Sequence, residues 1–293
     1  YRYDALGRHI SMDTSGAAFG PTRFTSWGYD DRNQVTGSNR YAGSFAASPN
    51  PANEVAPERR GFDYDPIGNR GSALDQDGTT SITYAANELN QYDVVGQQAP
   101  QYDGDGNLLN DGTKVLAYNA ENQLFSVTVP GVSVSTYDYD YIGRRVRKSV
   151  DVLDGGGPNY VVTWVYDGWN AVQESKSVGG DAATVKNFVW GLDLSQSMEG
   201  AGGIGGLLAS ADGSGANLFS YDGNGNVSEL VDASTGSTGA HYEYDPFGHV
   251  NLATGTASAE NAYRFSTKYA DDETELVYYG YRYYEPGTGR WVS

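Results

Sequence analysis

Apolar and polar residues alternate along this chain in short runs that never settle into a helical period. Tyr1-Arg2-Tyr3, Tyr137-Asp138-Tyr139 and Tyr242-Glu243-Tyr244 each put two tyrosines on one face of an extended segment, with a polar residue between them. Runs such as Arg144-Arg145-Val146-Arg147-Lys148-Ser149-Val150 and Asn226-Val227-Ser228-Glu229-Leu230-Val231 read as returning strands. Between the outgoing and returning runs stands a short polar punctuation, most often Asp-x-x-Gly. The pattern predicts strand, tight turn, strand, repeated from end to end, and no helix.

The punctuation is regular enough to be a repeat. Tyr-Asp occurs ten times, against about two expected for a shuffled chain. Seven of these sites extend to Asp-x-x-Gly: Asp4 to Gly7, Asp65 to Gly68, Asp93 to Gly96, Asp103 to Gly106, Asp140 to Gly143, Asp222 to Gly225 and Asp245 to Gly248. Asn33 replaces the glycine after Asp30, and Asn119 to Asn122 has Asn at both ends. Asp at the first position of a type I turn accepts a backbone hydrogen bond from two residues on. Gly at the fourth takes the left-handed conformation that returns the chain, and Asn tolerates it too. Pro66 and Pro246 sit at the second position, where their fixed φ is useful. Tyr3, Tyr64, Tyr92, Tyr102, Tyr139, Tyr221 and Tyr244 precede the turn aspartates, so they are expected to share a face and pack in rows across neighbouring hairpins.

Two stretches interrupt the rhythm. Residues 47–60 are rich in proline and poor in strand character, and read as a surface loop. Gly200-Ala201-Gly202-Gly203-Ile204-Gly205-Gly206 is a glycine cluster.

Composition agrees with short strands and tight turns: 39 glycines and 24 tyrosines in 293 residues, with 9 phenylalanines. The net charge of −18 lacks the basic footprint of a nucleic-acid binder and disfavours anionic membranes. With no cysteine, disulfides and thiolate metal sites are excluded. No apolar run reaches membrane-spanning length. Because the first residues already lie within a repeat, the chain reads as an excerpt of a longer polypeptide, with further repeats upstream and any targeting signal outside it.

Candidate chemistry is thin. His9, His241 and His249 sit in no catalytic motif and read as structural. Asp103–Asn107 and Asp222–Asn226 resemble the start of a calcium loop, but Leu108 and Lys114, or Val227 and Ala233, stand where the loop needs Gly and Glu. Gly200, Gly202 and Gly205 match G-x-G-x-x-G without the strand and helix that dinucleotide binding requires. Asp271-Asp272-Glu273-Thr274-Glu275 could offer paired carboxylates for glycoside hydrolysis, but reads as a solvated turn between strands. No catalytic, cofactor or metal site is expected.

The Tyr-Asp-x-x-Gly hairpins resemble the YD repeats of the RHS family, which includes bacterial toxin-cocoon proteins and the related teneurins. Phe188-Val189-Trp190-Gly191-Leu192-Asp193-Leu194-Ser195, Tyr242 to Gly248, and Arg264 through Tyr278-Tyr279-Gly280-Tyr281-Arg282-Tyr283-Tyr284 to Gly289-Arg290-Trp291-Val292-Ser293 are similar to the RHS-associated core. The resemblance divides the chain into a YD-repeat region, 1–184, and a core segment, 185–293. It implies an all-β fold, a continuous antiparallel ribbon of hairpins forming part of an RHS-type β-shell. The expected role is structural: a shell segment of a large secreted or surface bacterial protein, enclosing or presenting a C-terminal polypeptide such as a toxin. The alternative is an extracellular adhesion module whose tyrosines contact glycans. Many members also cut themselves at Asp-Pro motifs beyond the core. Asp65-Pro66 and Asp245-Pro246 lie inside ordinary repeats and read as turns, which disfavours an autoprotease.

Overall fold

The hairpins with Asp- or Asn-headed turns share one pairing. The residue before a turn pairs with the residue six positions later: Tyr3 with His9, Tyr29 with Val35, Tyr64 with Arg70, Tyr102 with Leu108, Tyr118 with Leu124, Tyr139 with Arg145 and Tyr221 with Val227. The register then slips by one, the signature of a bulge that tightens the twist beside the turn. A five-residue loop with a left-handed fourth residue makes that bulge, so the local sequence sets the register of both strands.

The structure, a computed structural model, describes residues 1–16, 19–153 and 155–293. Its strands follow one another in chain order. An eight-stranded sheet runs from Arg2–Tyr3 to Tyr92–Val95, and a fourteen-stranded sheet from Gln101–Tyr102 to Val250–Thr254. A four-stranded sheet holds Tyr269–Asp271, Leu276–Tyr278, Tyr283–Glu285 and Arg290–Trp291. The strand pairings are antiparallel and follow chain order, so each sheet is a meander. Among the described residues helix is confined to three short 3₁₀ turns, Pro51–Asn53, Ala56–Glu58 and Phe265–Thr267.

The chain packs as two compact units, one of residues 1–100 with 244–251, the other of 101–243 with 252–293. The 184/185 division suggested by motif density is not a packing boundary, since it falls inside the strand Thr184–Trp190. In the second unit one face of the long sheet supplies Leu116, Leu124, Val127, Val162 and Leu207 to a core completed by Leu276 of the small sheet. The first unit relies more on arginine: Arg70 lies over the Phe62 and Phe247 rings at 4.9 and 4.1 Å, and buried Arg60 bonds Asn251 at 2.5 Å.

The Pro-rich stretch is not the bare surface loop expected. The Asn50 side chain caps its first 3₁₀ turn at Ala52 N, and Glu58 in the second reaches Arg23 at 2.9 Å and buried Arg40 at 3.3 Å. A buried guanidinium needs a counter-charge, and the insertion delivers it.

Candidate functional site

The turns form a hydrogen-bonded ladder of their own. The first-position carboxylate or amide accepts from the backbone N–H groups two and four residues on. This holds for Asp4, Asp30, Asp65, Asn87, Asp103, Asn119, Asp140, Asp222 and Asp245. The second side-chain atom of that residue is often matched by the fifth residue. Where Asp leads, Arg8, Asn69, Asn107, Arg144 and Asn226 donate to it. Where Asn leads, its amide donates to Gln91 or Gln123. The fourth residues Gly7, Gly68, Gly106, Gly143, Gly225 and Gly248 have φ between 76° and 99°, and Asn33, Asn90 and Asn122 between 57° and 66°.

Neighbouring turns are linked as well. Arg8 donates to Asn33 at 2.9 Å, Asn69 to Asn90 at 3.3 Å and Asn107 to Asn122 at 3.2 Å. The glutamine of an Asn-type turn lies over the glycine of the next: a Cβ on Gly68 would meet Gln34 at 3.0 Å, and one on Gly143 would meet Gln123 at 3.4 Å. Glycine therefore serves both the left-handed backbone and the approach of the neighbour. Turn chemistry alone did not single out the fifth position, although its alternation, Gln after Asn and Arg or Asn after each of these glycines except Gly248, which His249 follows, is legible in the sequence.

One expected turn is misplaced. Asp93 lies within the strand Tyr92–Val95, and Gly96 closes no Asp-headed turn although its φ is 61°. The turn in that hairpin is Asn87 to Asn90. Asn at both ends satisfies the same geometry, so the Tyr-Asp spelling six residues later is coincidental.

The tyrosines do more than line up. Tyr29 donates to the His9 carbonyl at 2.7 Å, Tyr64 to Val35 at 2.8 Å, Tyr139 to Leu124 at 2.5 Å, Tyr166 to Arg145 at 2.8 Å, and Tyr221 to Leu207. Each hydroxyl thus hooks the returning strand of the preceding hairpin. Tyr92 instead accepts from Arg70 N at 2.9 Å. Tyr102 and Tyr139 pack on the core of the second unit and Tyr244 is half-buried. Tyr3 is 56% exposed and rests on His9, outside any buried row.

The most unusual chemistry fastens the small sheet to the long one. Arg145 is 1% exposed, its guanidinium ringed by Tyr137, Trp164, Tyr269, Tyr278 and Tyr283 at 4.6–5.7 Å. It pairs with fully buried Asp271 at 2.5 Å. Lys148 reaches Asp271 at 2.7 Å and Glu273 at 2.9 Å, and Tyr160 donates to Glu273 at 3.0 Å. Burial alone would raise the Asp271 carboxyl; Arg145 and Lys148 overcome it and hold the group below its ordinary range. Two cations thus face two carboxylates, and Asp271 is held ionised by both its oxygens. The expectation of a solvated turn at Asp271–Glu275 is overturned for Asp271 and Glu273. The reason is that Arg145 and Lys148, three residues apart and both buried across the register shift beside Arg145, would otherwise be unpaired. Lys114 makes a second fastening, to Asp111 at 3.2 Å and Glu285 at 2.9 Å. A third uses the Val292 carbonyl, which accepts from Leu108 N at 2.8 Å and Tyr118 at 2.9 Å.

The remaining candidates settle into structural surroundings. His241 sits between Glu243 at 3.0 Å and Glu229 at 3.5 Å. Burial opposes its charge, yet the two flanking carboxylates lift its pKa to about 9. In the glycine cluster, Asp193 accepts from Ala201 N at 2.6 Å and Gly203 N at 3.1 Å, and a strand, Leu207–Asp212, follows where a nucleotide loop would need a helix. Asp103 and Asp222 spend both carboxylate oxygens on their own turns. Asp65 and Asp245, before their prolines, head ordinary turns of the ladder.

Comparison with known proteins places this architecture. Residues 2–154 match the family model described as Teneurin YD-shell. The chain is 30% identical over 237 residues to a tRNA3(Ser)-specific nuclease WapA of Bacillus spizizenii, covering 79% of this chain and 9% of that protein. It is 27% identical over 315 residues to a double-stranded DNA deaminase toxin A of Burkholderia cenocepacia, covering all of this chain and 20% of that one. Among solved structures, TcdB2-TccC3 without its hypervariable C-terminal region aligns over the whole chain and 18% of its own, with a TM-score of 0.51 and 18% identity. The chain therefore spans a fifth or less of these relatives. A ladder of Tyr-Asp turns, the hooks between hairpins and a family match over half the sequence lead to one assignment: this chain belongs to the YD-shell family of RHS-type repeat proteins.

Proposed function

We propose that this chain is a wall segment of a hollow β-shell that encloses a C-terminal polypeptide of the same protein, a toxin domain being the fitting cargo. The observation that carries the reading is the linked turn ladder of a YD-shell family member: hairpin after hairpin is held to its neighbour, which suits a continuous wall. The names of the relatives, a tRNA nuclease and a DNA deaminase toxin, support a toxic cargo, and the activity in those names is read as that of a part beyond the matched segment. On this reading the chain is a scaffold without catalysis of its own, its partners are further repeats upstream and the enclosed polypeptide, and the parent protein is secreted or displayed at the bacterial surface. The test is limited proteolysis of the full-length protein. The cargo should resist protease while the shell is intact and become sensitive once Arg145→Ala loosens the wall; a cargo equally sensitive in both would defeat the proposal.

A further inference from the structure

Beside the Arg145 clamp, within the second unit, lies a cleft of about 220 Å³. An apolar cavity of about 150 Å³ suffices for benzene, so this one has room for a single substituted ring. Its walls include Trp169, Trp190, Tyr263, Tyr269 and Tyr281, and among the described residues no carboxylate side chain lines it. Tyr281 is 71% exposed and stands 4.6 Å from Trp169, ring to ring, giving a partly open aromatic wall.

Three of its polar side chains bear on binding. Lys268 donates to the Gly202 carbonyl and makes no ion pair among the described residues. Tyr263 and Tyr269, each less than a tenth exposed, also line the cleft. Arg145, the other cation of the lining, is already neutralised by Asp271. The cleft thus offers one ammonium, held at the Gly202 carbonyl and 5.7 Å from the Tyr279 ring, and two phenols in an aromatic enclosure.

We propose that this cleft binds a six-membered ring carrying a carboxylate, the ring resting on the wall of Trp169, Trp190 and Tyr281 and the carboxylate pairing with Lys268. Aromatic faces take the flat side of such a ring, and a carboxylate supplies the counter-charge that the lining lacks. Ring hydroxyls, where present, would meet Tyr263 and Tyr269. The same chemistry is offered by a uronic acid and by an arylcarboxylic acid. Burial lowers Lys268 to about 8, more than Asp193 and Glu199 raise it. Affinity should therefore weaken about tenfold per pH unit above that value, as the free ammonium is lost. The inference does not depend on the shell enclosing a cargo.

Calorimetric titration of the folded chain with glucuronate, phenylacetate, glucose and benzyl alcohol tests it. Both acids, or one of them, should bind at least about tenfold more tightly than the matching neutral compound, a difference of about 1.4 kcal/mol. Glucuronate ahead of phenylacetate identifies a sugar acid, and the reverse an arene acid. Lys268→Gln should abolish the preference for the acid, Lys268→Arg should keep it, and Trp169→Ala should weaken acid and neutral ligands alike, each in protein with unchanged near-UV circular dichroism. No preference for either acid over its neutral partner, or a preference that survives Lys268→Gln, would overturn the proposal.

Discussion

The repeating decision is made by a handful of atoms at each turn. Asp140 takes backbone N–H groups from Ile142 and Arg144 on one oxygen and the Arg144 guanidinium on the other. Asp140→Ala should therefore destabilise the chain by about 1–3 kcal/mol, the range for hydrogen bonds involving charge. Asn119→Asp should cost less than about 0.5 kcal/mol, because Gln123 can turn its amide to donate rather than accept. Gly143→Val should exceed both, because a β-branched residue is strained at φ 88°. Urea titration followed by tryptophan fluorescence gives all three; equal costs for Asp140→Ala and Asn119→Asp would contradict the matched-pair account. The fourth and first positions were legible in the sequence because turn geometry restricts them to few residue types. The fifth was not, because nothing in an isolated hairpin asks for it; its value comes from the carboxylate opposite and from the next turn.

Between elements, the tyrosine hydroxyl is the tie. Tyr139 donates to Leu124 O and lies 2.9 Å from the Tyr283 hydroxyl, so it joins two hairpins of the long sheet and the small sheet at once. Tyr139→Phe should cost about 1 kcal/mol, whereas exposed Tyr3→Phe should be neutral within about 0.5 kcal/mol; parallel chemical denaturation distinguishes them. The clamp operates at the same scale with higher stakes. Asp271→Ala should destabilise by about 3–5 kcal/mol by leaving Arg145 buried without its carboxylate and Lys148 with Glu273 alone among the described residues. The double replacement Arg145→Met with Asp271→Leu should recover much of that loss. Differential scanning calorimetry of the single and double variants checks this; a double variant as unstable as the single one would show that the ring of aromatics, not the charge balance, holds the sheet.

For the whole molecule, pH separates these contributions. Asp271 has a folded pKa below its unfolded value, so its stabilisation is present above the ordinary carboxylate range and is lost as pH falls through the lowered value. His241 runs the other way. Raised from 6.5 to about 9, it contributes fully below 6.5 and loses that contribution as pH rises through 9. Lys268 opposes it, since a lysine lowered to about 8 adds stability as pH climbs from there toward 10.5. Melting temperatures of the chain and of His241→Asn, measured from pH 6 to pH 10, should converge at the alkaline end. A gap that stays constant across that range would mean that His241 is not charged in the folded protein.

The sequence by itself determined the all-β class, the hairpin as the unit, most of the turns and the left-handed fourth residue, because each is a property of five or six consecutive residues. It also carried the family, through the number of Tyr-Asp sites and the density of the last third. Tertiary structure decided what those local rules leave free. Asn87 rather than Asp93 heads the fourth turn, since both spellings suit a turn and only the register of adjacent strands separates them. Glu58 is drawn onto Arg23 and Arg40, and Asp271 onto Arg145 and Lys148 across more than a hundred residues, because a buried cation seeks whichever carboxylate the folded chain brings within reach. Spacing along the chain holds no record of that encounter. Asp271 and Glu273 of one charge run and Arg145 and Lys148 of another meet in one buried cluster.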